Sequence, residues 1–278
     1  MLERNDNPLG AYLKDRRARL DPKALGFVSA RRRTPGLRRE EVAQRAHVSA
    51  TWYTWLEQGR GGSPSVDVLE RIAEALMLTE VEREHVFLLA FGRPPEVRFQ
   101  GSSGVTPRLQ RLLDAFEVSP ALVKNSTWDV LAWNRAATAV LTDYGQLPAE
   151  ERNILRLIFL DPKVRAAQCD WTGVARFVVA AFRADVARAG ASRYAEGLVA
   201  ELSRISPEFH AMWREHNVVS YGEGTKNMRH PELGICAFEY SAFSVDGRPD
   251  LSMVVYNPAT RDDAERVKKA IKAKARAA

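Results

Sequence analysis

Residues 34–60 read TPGLRREEVAQRAHVSATWYTWLEQGR, and the spacing of their apolar side chains decides the first part of the fold. Leu37, Val42 and Ala43 fall on one face of a short helix, about 37–46, while Arg38, Arg39 and Gln44 fall on the other. A His47-Val48-Ser49 turn follows, with Val48 directed into the core and Ser49 placed to cap the next helix. From Ala50 to Gln58, Tyr53 and Leu56 recur at i and i+3, which leaves Ser49, Ala50, Thr51, Thr54 and Trp55 on an outer face. Small Ala43 lets the two helices cross closely. This pattern is that of a helix-turn-helix, whose second helix enters the DNA major groove while the first crosses the backbone. Thr51, Thr54 and Trp55 are therefore the expected base contacts: threonine offers a hydroxyl and a methyl, tryptophan an N–H donor and an apolar plate. Arg38, Arg39, Gln44 and Arg60 flank that face, where phosphates would lie. The alternative for Trp52 and Trp55 is packing against a neighbouring helix or a dimer partner, and for the arginines plain solvation.

Outward from this segment, Asn7-Pro8 reads as a cap followed by proline at the first helical position, and Leu9, Tyr12, Leu13 and Leu20 continue at helical spacing. A loop with Arg31, Arg32 and Arg33 connects that helix to the quoted stretch. Beyond it, Ser65 caps a helix carrying Val68, Leu69, Ile72, Ala73, Leu76 and Met77, and the Thr79…Glu82 capping box opens a fifth, ending near Ala90. Residues 1–92 thus predict an all-α five-helix domain. Residues 93–106 are rich in Gly, Pro and Ser without periodicity and read as a linker.

Residues 107–260 predict a second domain of α+β class. Leu109, Leu112, Leu113 and Phe116 mark a helix, ALVKN and WDVLAW a hairpin around Asn125-Ser126, and Asn134 the cap of the next helix. Helical patterning occupies about 150–216, after which KNMRHPELG, GICAFEYSAFSV and LSMVVYN return to strands. Strands at both ends with helices between them describe an antiparallel sheet closed by distant segments, a PAS-like layout. Residues 261–278 read as a basic C-terminal tail or helix.

The charge distribution agrees with a division of labour. Residues 1–60 hold 13 Lys and Arg against 7 Asp and Glu, residues 261–278 hold 7 against 3, and the middle holds 21 against 25. Only Cys169 and Cys236 occur, far apart, so neither a disulfide scaffold nor a cysteine metal site is indicated, and a reducing cytoplasm is the expected location. MLERNDNPLG has no apolar signal region and no stretch has the length of a membrane span, so no membrane partner is expected. The histidines at 47, 85, 210, 216 and 230 show no close metal spacing, and no nucleophile elbow or P-loop occurs, so an enzyme is not expected. Haem on His210 or His230 is the remaining cofactor alternative.

TPGLRREEVA with YTWLEQGR resembles the phage-repressor-like, Xre-type helix-turn-helix domains, specifically the subgroup joined to an MmyB-like ligand-binding domain. Two positions depart from the subgroup: His47 stands where the turn commonly has glycine, and Trp55 where arginine is common. TWDVLAWNRAA, ERNILRLIFLDP, SPEFHAMWREHNV and KNMRHPELG resemble successive blocks of the MmyB-like domain. The resemblance implies a DNA-binding transcriptional regulator, expected to be a homodimer on double-stranded DNA. It also implies a PAS-like domain holding a small, fatty-acid-like hydrophobic molecule, with no other cofactor.

Trp128, Trp133, Phe159, Trp171, Phe177 and Phe182 are the expected ligand-lining rings, since bulky rings leave pocket-shaped gaps more readily than branched aliphatics. Asn134, Asn153, Arg156 and His230 are the expected polar anchors. Each has a structural alternative: a helix cap for Asn134, an exposed helix position for Arg156, a backbone bond beside Pro231 for His230, and an ordinary aromatic core for the rings. A second reading of the whole domain is a protein-interaction or dimerisation module without ligand.

Overall fold

Short polar side chains start the helices of the first unit. Asn7 accepts from the Gly10 amide to cap α1 (Pro8–Arg19), after which come α2 (Arg39–Arg45) and α3 (Ala50–Glu57). Ser49 caps α3 through the Trp52 amide, Ser65 caps α4 (Val66–Ala75), and Thr79 with Glu82 caps α5 (Glu80–Phe91) in a reciprocal box. The computed structural model describes residues 7–27, 36–60, 62–95 and 104–277. The Arg31–Arg33 loop and residues 96–103 of the expected linker lie outside the described residues. The chain divides into two units, residues 1–95 and 96–278.

Leu13, Leu37, Val42, Ala46, Tyr53, Leu69, Ile72 and Val86 form the core of the first unit. The side chains the sequence directs inward from α2 and α3 are those buried here, each full burial contributing roughly 1.5–3 kcal/mol for residues of leucine size. His47 adopts the left-handed conformation, φ 53°, that lets α2 turn sharply into α3. Gly10 is needed for close approach rather than for φ, because a Cβ there would stand 2.3 Å from the Glu57 carbonyl oxygen. The end of α3 is thereby seated against the start of α1, and Asn7 Nδ2 secures it with bonds to the Leu56 and Glu57 carbonyls.

The second unit runs α6 (Pro107–Asp114), β1 (Ala121–Asn125), β2 (Val130–Trp133), α7 (Arg135–Val140), α8 (Ile154–Leu160), α9 (Pro162–Ala167), α10 (Trp171–Arg188), α11 (Ser192–Ile205), α12 (Pro207–Arg214), β3 (Glu223–His230), β4 (Gly234–Val245), β5 (Arg248–Pro258) and α13 (Arg261–Ala277). The strands form one antiparallel sheet in the order β2-β1-β5-β4-β3. Distant segments do close it: β1 pairs with β5 from Ala121↔Val255 to Asn125↔Leu251. One sheet face, with Leu122, Phe238, Val254 and Tyr256, meets the helical layer, and the other, with Val123, Leu251 and Val255, is covered by Leu113 of α6. The pairing of β1 with β2 shifts register at Val123/Lys124, so Leu131 and Ala132 both serve the α6 side and WDVLAW does not keep strict alternation.

Of the two readings of the basic C-terminal stretch, the helix is the one found. It forms α13, whose Val267 and Ala270 are buried with the sheet core, and Asp263 accepts from the Ala237 amide on β4. Alternation of apolar and charged residues along the helix explains the difference: the lysines occupy the exposed side only.

Candidate DNA-reading face and ligand cavity

The outer face of α3 is built by the caps and core beneath it. Thr51 and Trp55 are exposed one helical turn apart, with Trp55 49% exposed, whereas Trp52 is turned partly into the core. Ser49 is exposed but its oxygen is occupied by the Trp52 amide, and Ala50 is half-buried against the core. Thr54 is half-buried and donates its hydroxyl to the Ala50 carbonyl of its own helix at 2.8 Å, leaving mainly its methyl for an outside contact. Gln58, which the sequence reading did not single out, is exposed on the same side as Thr51 and Trp55. The signal for it was present, since positions 51, 55 and 58 share one helical face.

Arg38, Gln44 and Arg60 are exposed around this face. Arg39 is more constrained than expected, because its Nε donates to Glu57 Oε2 at 2.7 Å. Glu57 is almost fully buried and also accepts from Arg17 Nε at 2.7 Å, while Arg17 Nη1 holds the Leu37 carbonyl at 2.6 Å. Burial alone would push the Glu57 carboxyl up, but the hydrogen bonds and charges of Arg17 and Arg39 outweigh it and hold the group below its ordinary range. This triad joins the ends of α1, α2 and α3 and fixes the angle at which α3 is presented.

In the second unit, the rings expected to line a ligand pocket mostly pack on one another. Trp128 meets Phe182 at 5.8 Å, Phe159 meets Trp171 at 5.7 Å and Phe209 at 5.1 Å, and Phe177 meets Tyr221 at 5.4 Å. They belong to one core formed by α8 and α10–α12 with the 125–129 turn. Trp133 lies apart, against Tyr144 at 5.3 Å. Trp128 sits at φ 65°, unusual for a bulky residue, and a polar net holds it there. Asn125 Oδ1 accepts from the Thr127 and Asp129 amides, and Asn153 donates to the Thr127 carbonyl and to Asp129 Oδ1, both at 2.8 Å. The Trp128 ring N–H donates to Asp185, which also pairs with buried Lys124 at 2.8 Å.

The expected polar anchors are likewise committed to the fold. Asn134 accepts from the Ala121 and Ala137 amides and donates to the carbonyls of Leu113, Phe116 and Ser119, which exhausts its bonding capacity. Asn153 caps α8 besides holding the turn. Arg156 makes a two-pronged pair with Glu201 on α11. His230 contacts the Ala139 carbonyl through Nε2 at 3.3 Å and accepts from the Glu232 amide.

A cavity of about 50 Å³ lies elsewhere, between the sheet and helices α7–α9. Its apolar wall includes Leu122, Leu141, Ile154, Leu157, Val164 and Met228, and its polar groups are Thr142, Tyr144, Gln168, Lys226 and Tyr256. None of the residues expected from the sequence lines it. Tyr256 and Tyr221 share a hydroxyl hydrogen bond of 2.9 Å, and burial raises Tyr256 to about 12. Burial lowers the Lys226 ammonium to about 8, with no carboxylate among the described residues paired to it. The available signal was the alternation in GTKNMRH, which puts Lys226 on the same strand face as Met228, where an apolar residue is the norm.

The helix-turn-helix domain family matches residues 8–86, within the first unit, and the MmyB-like transcription regulator ligand binding domain family matches residues 105–270, the sheet and its helices. No curated protein matches the chain. With a helix-turn-helix domain matched in one unit and an MmyB-like ligand-binding domain matched over 105–270 in the other, the chain belongs to the family of DNA-binding helix-turn-helix transcription regulators that carry an MmyB-like ligand-binding domain.

Proposed function

We propose that the protein is a ligand-responsive regulator that binds double-stranded DNA as a homodimer, and that a small, lipid-like hydrophobic molecule in the second unit sets its affinity. The cavity between the sheet and α7–α9 carries this reading, because it is mostly apolar-walled and lies inside the ligand-binding fold. Ordinary ligand pockets measure about 300–1,000 Å³, so a lipid-like molecule enters this one only if the helical layer moves off the sheet. That requirement supplies a mechanism: a ligand shifts an equilibrium by the difference in its affinity for the two arrangements.

Thr51, Trp55 and Gln58 are the proposed base contacts, with Arg38, Gln44 and Arg60 on phosphates. Thr54 and Ala50 support the face, and Arg39 holds Glu57. Gel-shift titration against the protein's own promoter region, with and without lipid extract, is the test. Affinity altered by the extract supports the reading. DNA affinity unchanged by any fraction, with no retained small molecule in native mass spectrometry, favours the interaction module instead.

A further inference from the structure

On β3 the residues that face the helices are Gly224, Lys226, Met228 and His230, alternating with exposed Glu223, Thr225, Asn227 and Arg229. Met228 is buried and His230 is held by the Ala139 carbonyl, so both fit an inward position. Lys226 does not: it lines the cavity, and its Nζ stands 5.5 Å from the centre of the Tyr256 ring, with no carboxylate among the described residues paired to it. A lone cation in such a place is costly unless something compensates it.

Across the free edge of β3, Gln168 forms an isolated backbone bridge with Met228, two residues from Lys226, and lines the same cavity. Its Nε2 donates to the Val164 carbonyl at 3.0 Å, which fixes the orientation of the amide. Oε1 is then buried with no hydrogen-bond partner among the described residues, in a residue that is 7% exposed. One small space is therefore lined by a cation with no carboxylate partner and by an orphaned acceptor, both among the described residues, with Tyr144 and Tyr256 beside them. An orphaned acceptor points to an occupant.

Resting on the ligand-sensing reading above, we propose that this cavity takes a hydroxylated carboxylate: the carboxylate accepts from Lys226 Nζ, and a neighbouring hydroxyl donates to Gln168 Oε1. The sizes agree. A cavity of about 50 Å³ holds a few water-sized groups, enough for a carboxylate and the adjoining hydroxyl-bearing carbon. An alkyl tail then extends between Leu141, Ile154 and Leu157 and presses α8 away from the sheet. A plain apolar molecule leaves both polar groups unsatisfied, and a cationic amphiphile meets Lys226 with like charge. The recognition is thus for head group first and chain second.

Isothermal titration of the full chain with 3-hydroxyoctanoate, octanoate and 1-octanol, repeated on Lys226→Met and Gln168→Leu, tests this. The hydroxy acid should bind wild type at least about tenfold more tightly than octanoate, and octanoate more tightly than octanol, as expected for a hydrogen bond and a charge pair made with largely buried groups. Lys226→Met should lose about tenfold or more for both acids while keeping its affinity for octanol, which also shows that the variant is folded. Gln168→Leu should abolish only the preference for the hydroxyl. Equal binding of octanoate to wild type and Lys226→Met, or a hydroxyl preference that is absent in wild type or survives in Gln168→Leu, overturns the head-group assignment and leaves the ligand-sensing reading standing. If none of the three probes binds, the head-group assignment falls, and the extract titration with native mass spectrometry decides the ligand-sensing reading by itself.

Discussion

Glu57 couples the first unit to acid. Its carboxylate is buried between Arg17 and Arg39 and held below its ordinary range, so the unfolded chain takes up a proton at higher pH than the folded one. The stability it contributes is complete above the unfolded value, near 4.5, and is lost as pH falls through the folded value. Glu57→Gln should cost about 3 kcal/mol at pH 7, since it strands buried Arg17, and should flatten the loss of stability below pH 4.5; urea denaturation at several pH values measures both. Asn134 poses a different problem at the same scale. An asparagine that caps a helix and one that binds a ligand are identical as letters, and what separates them is how many backbone groups converge on the side chain. Five such groups meet Asn134 from residues 113, 116, 119, 121 and 137, a convergence invisible in a linear reading. Asn134→Ala should therefore destabilise the second unit by about 2–3 kcal/mol, with loss of the thermal transition and not of a ligand as the primary effect.

At the scale of the element, α3 was legible because a helix is a local object. Period 3.6, a serine cap and an inward Tyr53 and Leu56 suffice to orient it, and the turn before it needed only a residue that tolerates φ near 53°. The sheet was legible as strands but not as surfaces. The register shift at Val123/Lys124 redistributes β2 between two cores, and which side of β3 carries a cavity depends on what α8 and α9 place above it. Aromatic content located the tightest packing instead, because rings that find edge-to-face partners fill space rather than leave it. On α3, exposure separates reading from folding: Thr51→Ala and Trp55→Ala should leave stability within about 0.5 kcal/mol and weaken specific DNA binding, whereas Thr54→Ala should weaken binding less, its hydroxyl being tied to Ala50. Gel shift on specific and scrambled duplexes distinguishes these outcomes; equal losses for Thr51 and Thr54 would show that the helix rebuilds its face on DNA.

Each of the two units carries buried clusters of its own. Among the described residues, the first unit's fully buried cluster runs from Leu9 to Phe87, and the fully buried members of the second unit's clusters run from Leu113 to Ala270. Each unit thus has a buried core of its own on which a substitution acts first. Calorimetry of the full chain should resolve contributions that respond separately: Glu57→Gln lowers the melting of the first unit, and Asn134→Ala that of the second. A ligand bound only by the folded second unit stabilises that unit by mass action, about 2.7 kcal/mol at a hundredfold excess over Kd, so saturating ligand should raise the second transition alone. Under the homodimer reading proposed above, regulation comes from a ligand-dependent choice between dimer arrangements that space the two α3 helices differently. Varying the half-site spacing of an operator makes this measurable: the ligand should change the preferred spacing or the affinity at one spacing, while a monomeric half-site binds equally with and without it. A ligand effect of the same size on an isolated half-site would place the coupling inside the first unit and refute the dimer mechanism.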